Sequence, residues 1–192
     1  KIGTNMYLGI TEEQEMIVET VRSFVENEIY PHENLVENKG FVPIEIAQDI
    51  KQKCINLGFY ACNFPENIGG AGLNHLDFAL VERELGRGSM ALTHFFGRPQ
   101  NILMACKDEQ IDKYLLPAVR GELMDALAMT EPDAGSDVRG MKCFAKSAGR
   151  DWIVNGTKHF ISGAEHADFV IVFIATGEEK TEKGLKKKIT AF

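Results

Sequence analysis

The chain has 192 residues, 44% of them apolar and 26% charged, a balance that a disordered segment lacks and that suffices for a buried core. Twenty-one basic against 28 acidic residues leave a net charge of −7, which argues against a nucleic-acid partner but leaves room for an anionic ligand gripped by backbone amides. Four cysteines without a C-x-x-C pair and five scattered histidines offer neither a metal set nor a disulfide framework. The start Lys1-Ile2-Gly3-Thr4-Asn5 carries no signal-length apolar run, and no stretch reaches membrane-spanning length. A soluble, intracellular protein without membrane insertion is expected.

The first two thirds read as helices. Thr11-Glu12-Glu13-Gln14 is a capping-box pattern, followed by Met16, Ile17, Val21, Phe24 and Val25 at helical spacing until Pro31 interrupts. A second helix opens at Pro43, carries Ile46, Ala47, Ile50 and Cys54, and ends at Gly58. Asn74 caps a third, with Phe78, Val81 and Leu85, closed by Gly86 or Gly88. Ser89 begins a fourth, Ala91 to Cys106, which Pro99 should kink or split. A fifth runs from Glu109 to Val119 and stops at Arg120-Gly121.

Beyond Gly121 the apolar period switches from helical to alternating. Ala126 to Met129 reads as a short strand, and Lys142–Ser147 and Asp151–Ser162 as two more around an Ala148-Gly149-Arg150 turn. Phe169 to Ile174 is β-branched and aromatic throughout, a strong strand signal. Residues 177–184 read as a charged loop, and Lys188 to Phe192 begins another strand. The pattern is α+β, helices first. A sheet ending inside a strand would leave an open apolar edge, so a longer polypeptide, or another segment completing the sheet, is expected.

The segment Met129-Thr130-Glu131-Pro132-Asp133-Ala134-Gly135-Ser136-Asp137 is the candidate for chemistry. Its Pro, Gly and hydroxyl residues suit a turn that aims amides and two hydroxyls at phosphate or carbonyl oxygens; they equally suit a polar connection between strands. Its three acids fit an anion site only with their carboxylates turned to solvent. Glycines 69, 70 and 72 follow no apolar strand, so a Rossmann reading fails. Glu82-x-Glu84, Glu178-Glu179 and Lys186-Lys187-Lys188 read as solvated charges. Phe95-Phe96 is core by default, or else the floor of an apolar ligand pocket.

Together with Phe64-Pro65-Glu66-Asn67-Ile68-Gly69-Gly70 and Trp152-Ile153-Val154-Asn155-Gly156-Thr157-Lys158-His159-Phe160-Ile161-Ser162, the 128–137 stretch resembles the acyl-CoA dehydrogenase family of flavoproteins. The likeness implies an all-α N-terminal helical domain over 1–122 and the opening of an antiparallel middle β-domain over 123–192. The family's C-terminal helical domain has no counterpart among these residues. Carried over residue by residue, Leu127, Met129, Thr130, Gly135, Ser136, Phe160, Ile161 and Ser162 would contact FAD. Ser136 would also face the thioester, and the Thr93-His94-Phe95-Phe96 segment, through Thr93, Phe95 and Phe96, would border the acyl chain. Leu127 stands where an aromatic is frequent, Phe160 where Trp is common, Ser162 where Thr is usual and Asp133 where Gly is frequent.

The resemblance implies α,β-dehydrogenation of an acyl-CoA thioester, with proton removal by a carboxylate and hydride transfer to the flavin. It places the catalytic glutamate outside these residues, so none of the acids here is nominated, and the 192 residues alone are expected to lack turnover. An electron-transfer flavoprotein as acceptor, a homotetramer, and a bacterial cytoplasmic or mitochondrial-matrix location are likewise implied. The alternatives are an oxidase, reductase or nitroalkane-oxidase relative, or a non-catalytic flavin- or acyl-CoA-binding module.

Overall fold

The capping box forms as its residues dictate: the Thr11 hydroxyl accepts the Gln14 amide at 3.2 Å, and the Gln14 side chain accepts the Thr11 amide at 3.0 Å. The structure, a computed structural model, describes residues 9–182 and 184–192; the Lys1–Asn5 start and Lys183 of the charged segment lie outside the described residues. Helix α1 (Glu12–Phe24) buries Val18, Val21 and Phe24, whereas Met16 is 62% exposed and does not belong to the apolar stripe. The helix does not end at Pro31. A π-type turn, Val25–Ile29, leads into α2 (Tyr30–Lys39), where Pro31 occupies the first turn. A proline there needs no amide partner, and the widened turn before it accommodates the ring.

Helix α3 (Ile44–Asn56) buries Ala47, Ile50 and Cys54. Helix α4 (His75–Leu85) is capped by Asn74, whose side-chain oxygen accepts the amides of Leu76 and Asp77 at 2.9 and 3.0 Å. The α1 and α4 helices are joined by polar bonds at both ends: Gln14 donates to Asp77 at 2.8 Å, and Arg22 grips Glu84 at 3.0 and 3.3 Å. Glu84 is only 2% exposed and also meets Arg83 at 2.9 Å, while Glu82 pairs with Arg98 at 2.8 Å. These two acids are therefore ion-paired, not simply solvated; a buried carboxylate requires such compensation.

The long fourth helix is absent. Helix α5 (Met90–Thr93) passes into a 3-10 turn, His94–Phe96, and stops at Gly97, two residues before Pro99. Gly97 has φ +80, and a Cβ there would lie 1.8 Å from the Tyr60 ring. Its carbonyl accepts the Ala61 amide at 3.0 Å. This close approach ends the helix, and only glycine permits it. A separate 3-10 turn covers Asn101–Ala105, and a π-type turn, Ile111–Leu115, enters α6 (Leu116–Val119). Phe96 is fully buried and meets Phe24 edge-on at 5.2 Å and Phe59 at 6.0 Å, forming part of the helical core.

By its contacts the chain divides between Gly121 and Glu122. The second unit holds β1 (Asp125–Ala128), β2 (Phe144–Ala148), β3 (Asp151–Asn155), β4 (Phe169–Thr181) and β5 (Gly184–Ala191). Their order is β1-β4-β2-β3, with β5 also on β4. Helices followed by a sheet is the expected class, but the sheet is mixed where an antiparallel one was expected. Strands β1 and β2 run parallel to β4, while β2–β3 and β4–β5 are antiparallel hairpins. Parallel neighbours need crossovers out of the sheet, and the segments after β1 and β3 supply them.

The strand limits shift most at two places, each set by a neighbour distant in the chain. Strand β3 ends at Asn155, not Ser162, because Gly156 turns the chain at φ +139 against Cys143, whose Sγ would lie 2.2 Å from any Cβ at 156. The expected charged loop at 177–184 is instead mostly strand. There β4 faces β5 with Glu178 opposite Lys187 and Glu179 opposite Lys186, so opposite charges pair across the ladder. Lys187 also donates to the Met141 carbonyl and is not part of a merely solvated face.

Candidate functional site

Strand β1 delivers Met129 and Thr130 to a tight turn closed by reciprocal bonds, the Glu131 amide to the Ala134 carbonyl at 2.9 Å and the Ala134 amide to the Glu131 carbonyl at 3.2 Å. Pro132 and Asp133 occupy its tip, a position that suits proline's fixed φ. Asp133 turns to solvent and pairs with Lys142 at 2.7 Å, which accounts for an acid at that position. Gly135 and Ser136 follow, both exposed, and the Asp137 side chain accepts the Arg139 amide at 3.1 Å.

Glu131 turns inward, contrary to the solvent-facing carboxylates an anion site would ask for. It is 5% exposed and receives the Lys158 ammonium at 2.8 Å, the Lys142 amide at 2.5 Å and the Cys143 amide at 3.1 Å. Burial alone would raise its carboxyl, but the Lys158 ammonium and the two amides outweigh this and hold it at about 2. Lys158 gives a second bond, to the Met129 carbonyl at 2.9 Å. Beside it the His159 amide donates to the Thr130 carbonyl at 2.9 Å. The turn after β1 and the ribbon after β3 are thus brought together.

The ribbon then presents Phe160 in an unusual way. Its backbone is left-handed, φ +56, and its side chain is 80% exposed, with the ring stacked on His159 at 3.7 Å. A bulky non-glycine residue rarely holds that conformation, and its strain suggests a positioned surface. Ile161 is half-buried and Ser162 exposed. Thr130 is half-buried, as is Leu127, which lies opposite Ile171 of β4.

In the helical unit, Thr93 and Phe95 are each 4% exposed and His94 meets Phe95 edge-on at 5.5 Å. Gly70 serves a tight loop, since a Cβ there would fall 2.1 Å from the Phe64 carbonyl oxygen. Among the described residues no three His, Cys, Asp or Glu side chains converge as a metal set, and no helix is long and apolar enough to cross a membrane.

Comparison with known proteins decides the family. The profile for the N-terminal domain of acyl-CoA dehydrogenases matches residues 11–122, and that for their middle domain matches 126–192. The chain belongs to the acyl-CoA dehydrogenase family. It is 36% identical to a 3-(aryl)acrylate reductase of Clostridium sporogenes over 180 residues, which cover 91% of this chain and 47% of that protein. Over 181 residues it is 32% identical to subunit CarC of the caffeyl-CoA reductase–Etf complex of Acetobacterium woodii, again 91% and 47%. The structure of a glutaryl-CoA dehydrogenase from Mycobacterium smegmatis in complex with FADH2 superposes with a TM-score of 0.70 at 26% identity, covering 95% of this chain and 46% of that one. The chain spans about half the length of the curated relatives it matches.

A neighbour in the family is described in complex with FADH2, and the turn and ribbon carry groups whose chemistry suits such a ring system. The exposed hydroxyls of Ser136 and Ser162, the half-buried Thr130 and the exposed, left-handed Phe160 are groups of the kind that a polar-edged ring system binds. The buried ion pair beneath them left no mark in the sequence. Glu131 and Lys158 are far apart along the chain, and a lone Glu among turn residues reads as exposed. A buried acid is recognisable only once its partner is known.

Proposed function

We propose that this chain supplies the flavin-binding part of an FAD-dependent oxidoreductase acting on an acyl-CoA thioester, with α,β-dehydrogenation as its reaction. The observation that carries the reading is the union of the 129–136 turn with the strained, exposed Phe160 ribbon through the His159–Thr130 and Lys158–Met129 bonds. When bound, FAD would supply the acceptor for hydride from the substrate's β-carbon.

The chain's own residues do the positioning. Thr130 offers its hydroxyl and backbone at one edge of the ring, and Ser162 offers a hydroxyl near its reacting nitrogen. Leu127, Met129, Gly135, Phe160 and Ile161 line the rest, with Phe160 covering the ring face and keeping water from it. Ser136 serves both the pyrophosphate and the thioester. In the helical unit Thr93, Phe95 and Phe96 border the acyl chain in this reading. None of the acids described is assigned as the base that removes the α-proton. An electron-transfer flavoprotein as electron partner, supported by a relative named as part of an Etf complex, a homotetramer, and residence in bacterial cytoplasm or mitochondrial matrix complete the reading.

A second reading has a specific support. Two relatives are named reductases, of an aryl acrylate and of caffeyl-CoA, so the same site could run toward saturation of an arylacrylyl thioester. Anaerobic titration of the FAD-loaded full-length gene product, which is to carry the catalytic base, separates the two. Bleaching of the visible flavin band by saturated acyl-CoAs supports dehydrogenation, and reoxidation of the reduced protein by an arylacrylyl-CoA supports reduction. No change with either class overturns both.

A further inference from the structure

The 156–162 ribbon belongs to no strand. It is tied to the rest of its unit by the His159 amide on the Thr130 carbonyl at 2.9 Å, the Thr157 carbonyl facing the Cys143 thiol at 3.4 Å, and the Lys158 ammonium. Only the last is a charge, and it lies almost wholly inside, its side chain 10% exposed against 3% for Glu131. Its two acceptors, the Met129 carbonyl and the Glu131 carboxylate, flank Thr130 on both sides. The remaining carboxylate capacity is filled by the Lys142 and Cys143 amides, which begin the run into β2. One buried pair therefore joins three segments, alongside the His159–Thr130 and Cys143–Thr157 bonds.

We propose that Glu131 and Lys158 are positioning residues for the flavin: their buried ion pair fixes the backbone of Met129–Glu131 against the ribbon that carries Phe160 and Ser162. This rests on the flavin reading and deepens it. A pair serving stability alone could be replaced by apolar side chains of similar volume. Here the ammonium's acceptors, the Met129 carbonyl and the Glu131 side chain, belong to the residues on either side of a proposed ring contact, so its loss frees the turn and the ribbon to move apart. Charge-assisted bonds to main-chain carbonyls are strong and directional, which suits a group whose task is to set a distance.

The test is FAD titration of the protein, followed by flavin fluorescence and by the visible spectrum of the bound form. It compares wild type with Lys158→Met, Lys158→Arg, Glu131→Asp and the exposed-pair control Asp133→Asn, after circular dichroism has confirmed folding. Lys158→Met is expected to weaken FAD on the order of tenfold and to shift the visible band. It should also speed hydrogen exchange at the His159 amide. Lys158→Arg, which keeps a charged donor, should recover most of the affinity and the wild-type band, and Asp133→Asn should match wild type throughout. A folded Lys158→Met protein with wild-type affinity and spectrum overturns the proposal. Should Lys158→Met not fold, Glu131→Asp decides, because it keeps the charge and shortens the reach: several-fold weaker FAD supports the pair's role, and unchanged affinity and spectrum refute it. A wild-type protein that takes up no FAD overturns the flavin reading itself, and the positioning role with it.

Discussion

The His159 amide lies 2.9 Å from the Thr130 carbonyl, a single backbone bond that holds the turn after β1 to the ribbon after β3. Next to this bond are the hydroxyl of Thr130 on one side and the exposed ring of Phe160 on the other. The geometry of the proposed flavin site depends on keeping those two segments in register.

Thr130→Val and Ser162→Ala should each weaken FAD binding or shift its spectrum. Each substitution deletes one hydrogen bond, worth about 0.5–1.5 kcal/mol net, so the expected loss is from a little over twofold to about tenfold. Equilibrium titration of both variants checks it. If neither changes FAD affinity or absorbance, the site lies elsewhere.

Gly156→Ala should disturb the same site without touching it. The added Cβ would meet Cys143 Sγ at 2.2 Å and its Cα at 2.8 Å, at a φ of +139 that L residues rarely adopt. Either the turn shifts, carrying Lys158 and His159 with it, or the unit loses stability by about 2 kcal/mol or more. Thermal unfolding together with FAD titration registers whichever occurs. Wild-type values in both measurements would show the turn to be less constrained than the structure indicates.

Much of this was legible in the sequence, and the failures share a cause. The Thr11 and Asn74 caps, the α3 stripe and strand β1 follow from contacts within a few residues, and local patterning captures them. What stayed hidden depends on partners distant in the chain. The fourth helix stops at Gly97 because Tyr60 lies against it, and Glu84 is buried because Arg22 reaches across from α1. Residues 177–181 extend β4 because Lys186 and Lys187 come to face two acids. The candidate site was legible only as a set of hydroxyls, glycines, apolar residues and one aromatic. The buried Glu131–Lys158 pair beneath it and the left-handed backbone of Phe160 were not, since neither leaves a local signature.

Glu131 gives a pH signature. Its carboxyl is held at about 2, below its ordinary value of 4.5, so the unfolded chain binds the proton more readily. The stabilisation is therefore complete above about pH 4.5 and fades as the pH falls toward 2. Urea unfolding at about pH 5 and about pH 3 should show a larger loss of stability in wild type than in Glu131→Gln, which has no such proton to take up. Equal losses would contradict the buried pair.

In the helical unit, Glu84→Gln should cost about 1–3 kcal/mol. It leaves Arg22 and Arg83 without the carboxylate that the Arg22 guanidinium, by hydrogen bond and charge, holds below its usual range. The solvent-facing side of Arg22, 42% exposed, keeps the figure below that of a fully buried pair. Denaturant melts of Glu84→Gln and of Glu82→Gln separate the effect, since Glu82, itself 41% exposed, pairs with Arg98. A cost no greater for Glu84 than for Glu82 would refute the assignment.

Thiol reactivity should divide the four cysteines. Cys54, Cys62 and Cys143 are buried and Cys106 is half-buried; burial pushes the Cys62 thiol up to about 11, and Cys54 donates to the Phe96 carbonyl at 2.8 Å. In the native protein a neutral alkylating reagent should modify Cys106 first, and the others only on unfolding. Mass mapping of the labelled peptides reads the order, and early labelling of Cys54 would contradict the packing of α3 on the His94–Phe96 turn.

Hydrogen–deuterium exchange of the protein with and without saturating FAD, resolved by peptide, examines the proposed site most directly. The account predicts that FAD slows exchange in the peptides spanning 129–136 and 159–162 while β3 and the β4–β5 hairpin tip stay as they were. Slowed exchange confined to other segments, or none at all, would contradict it.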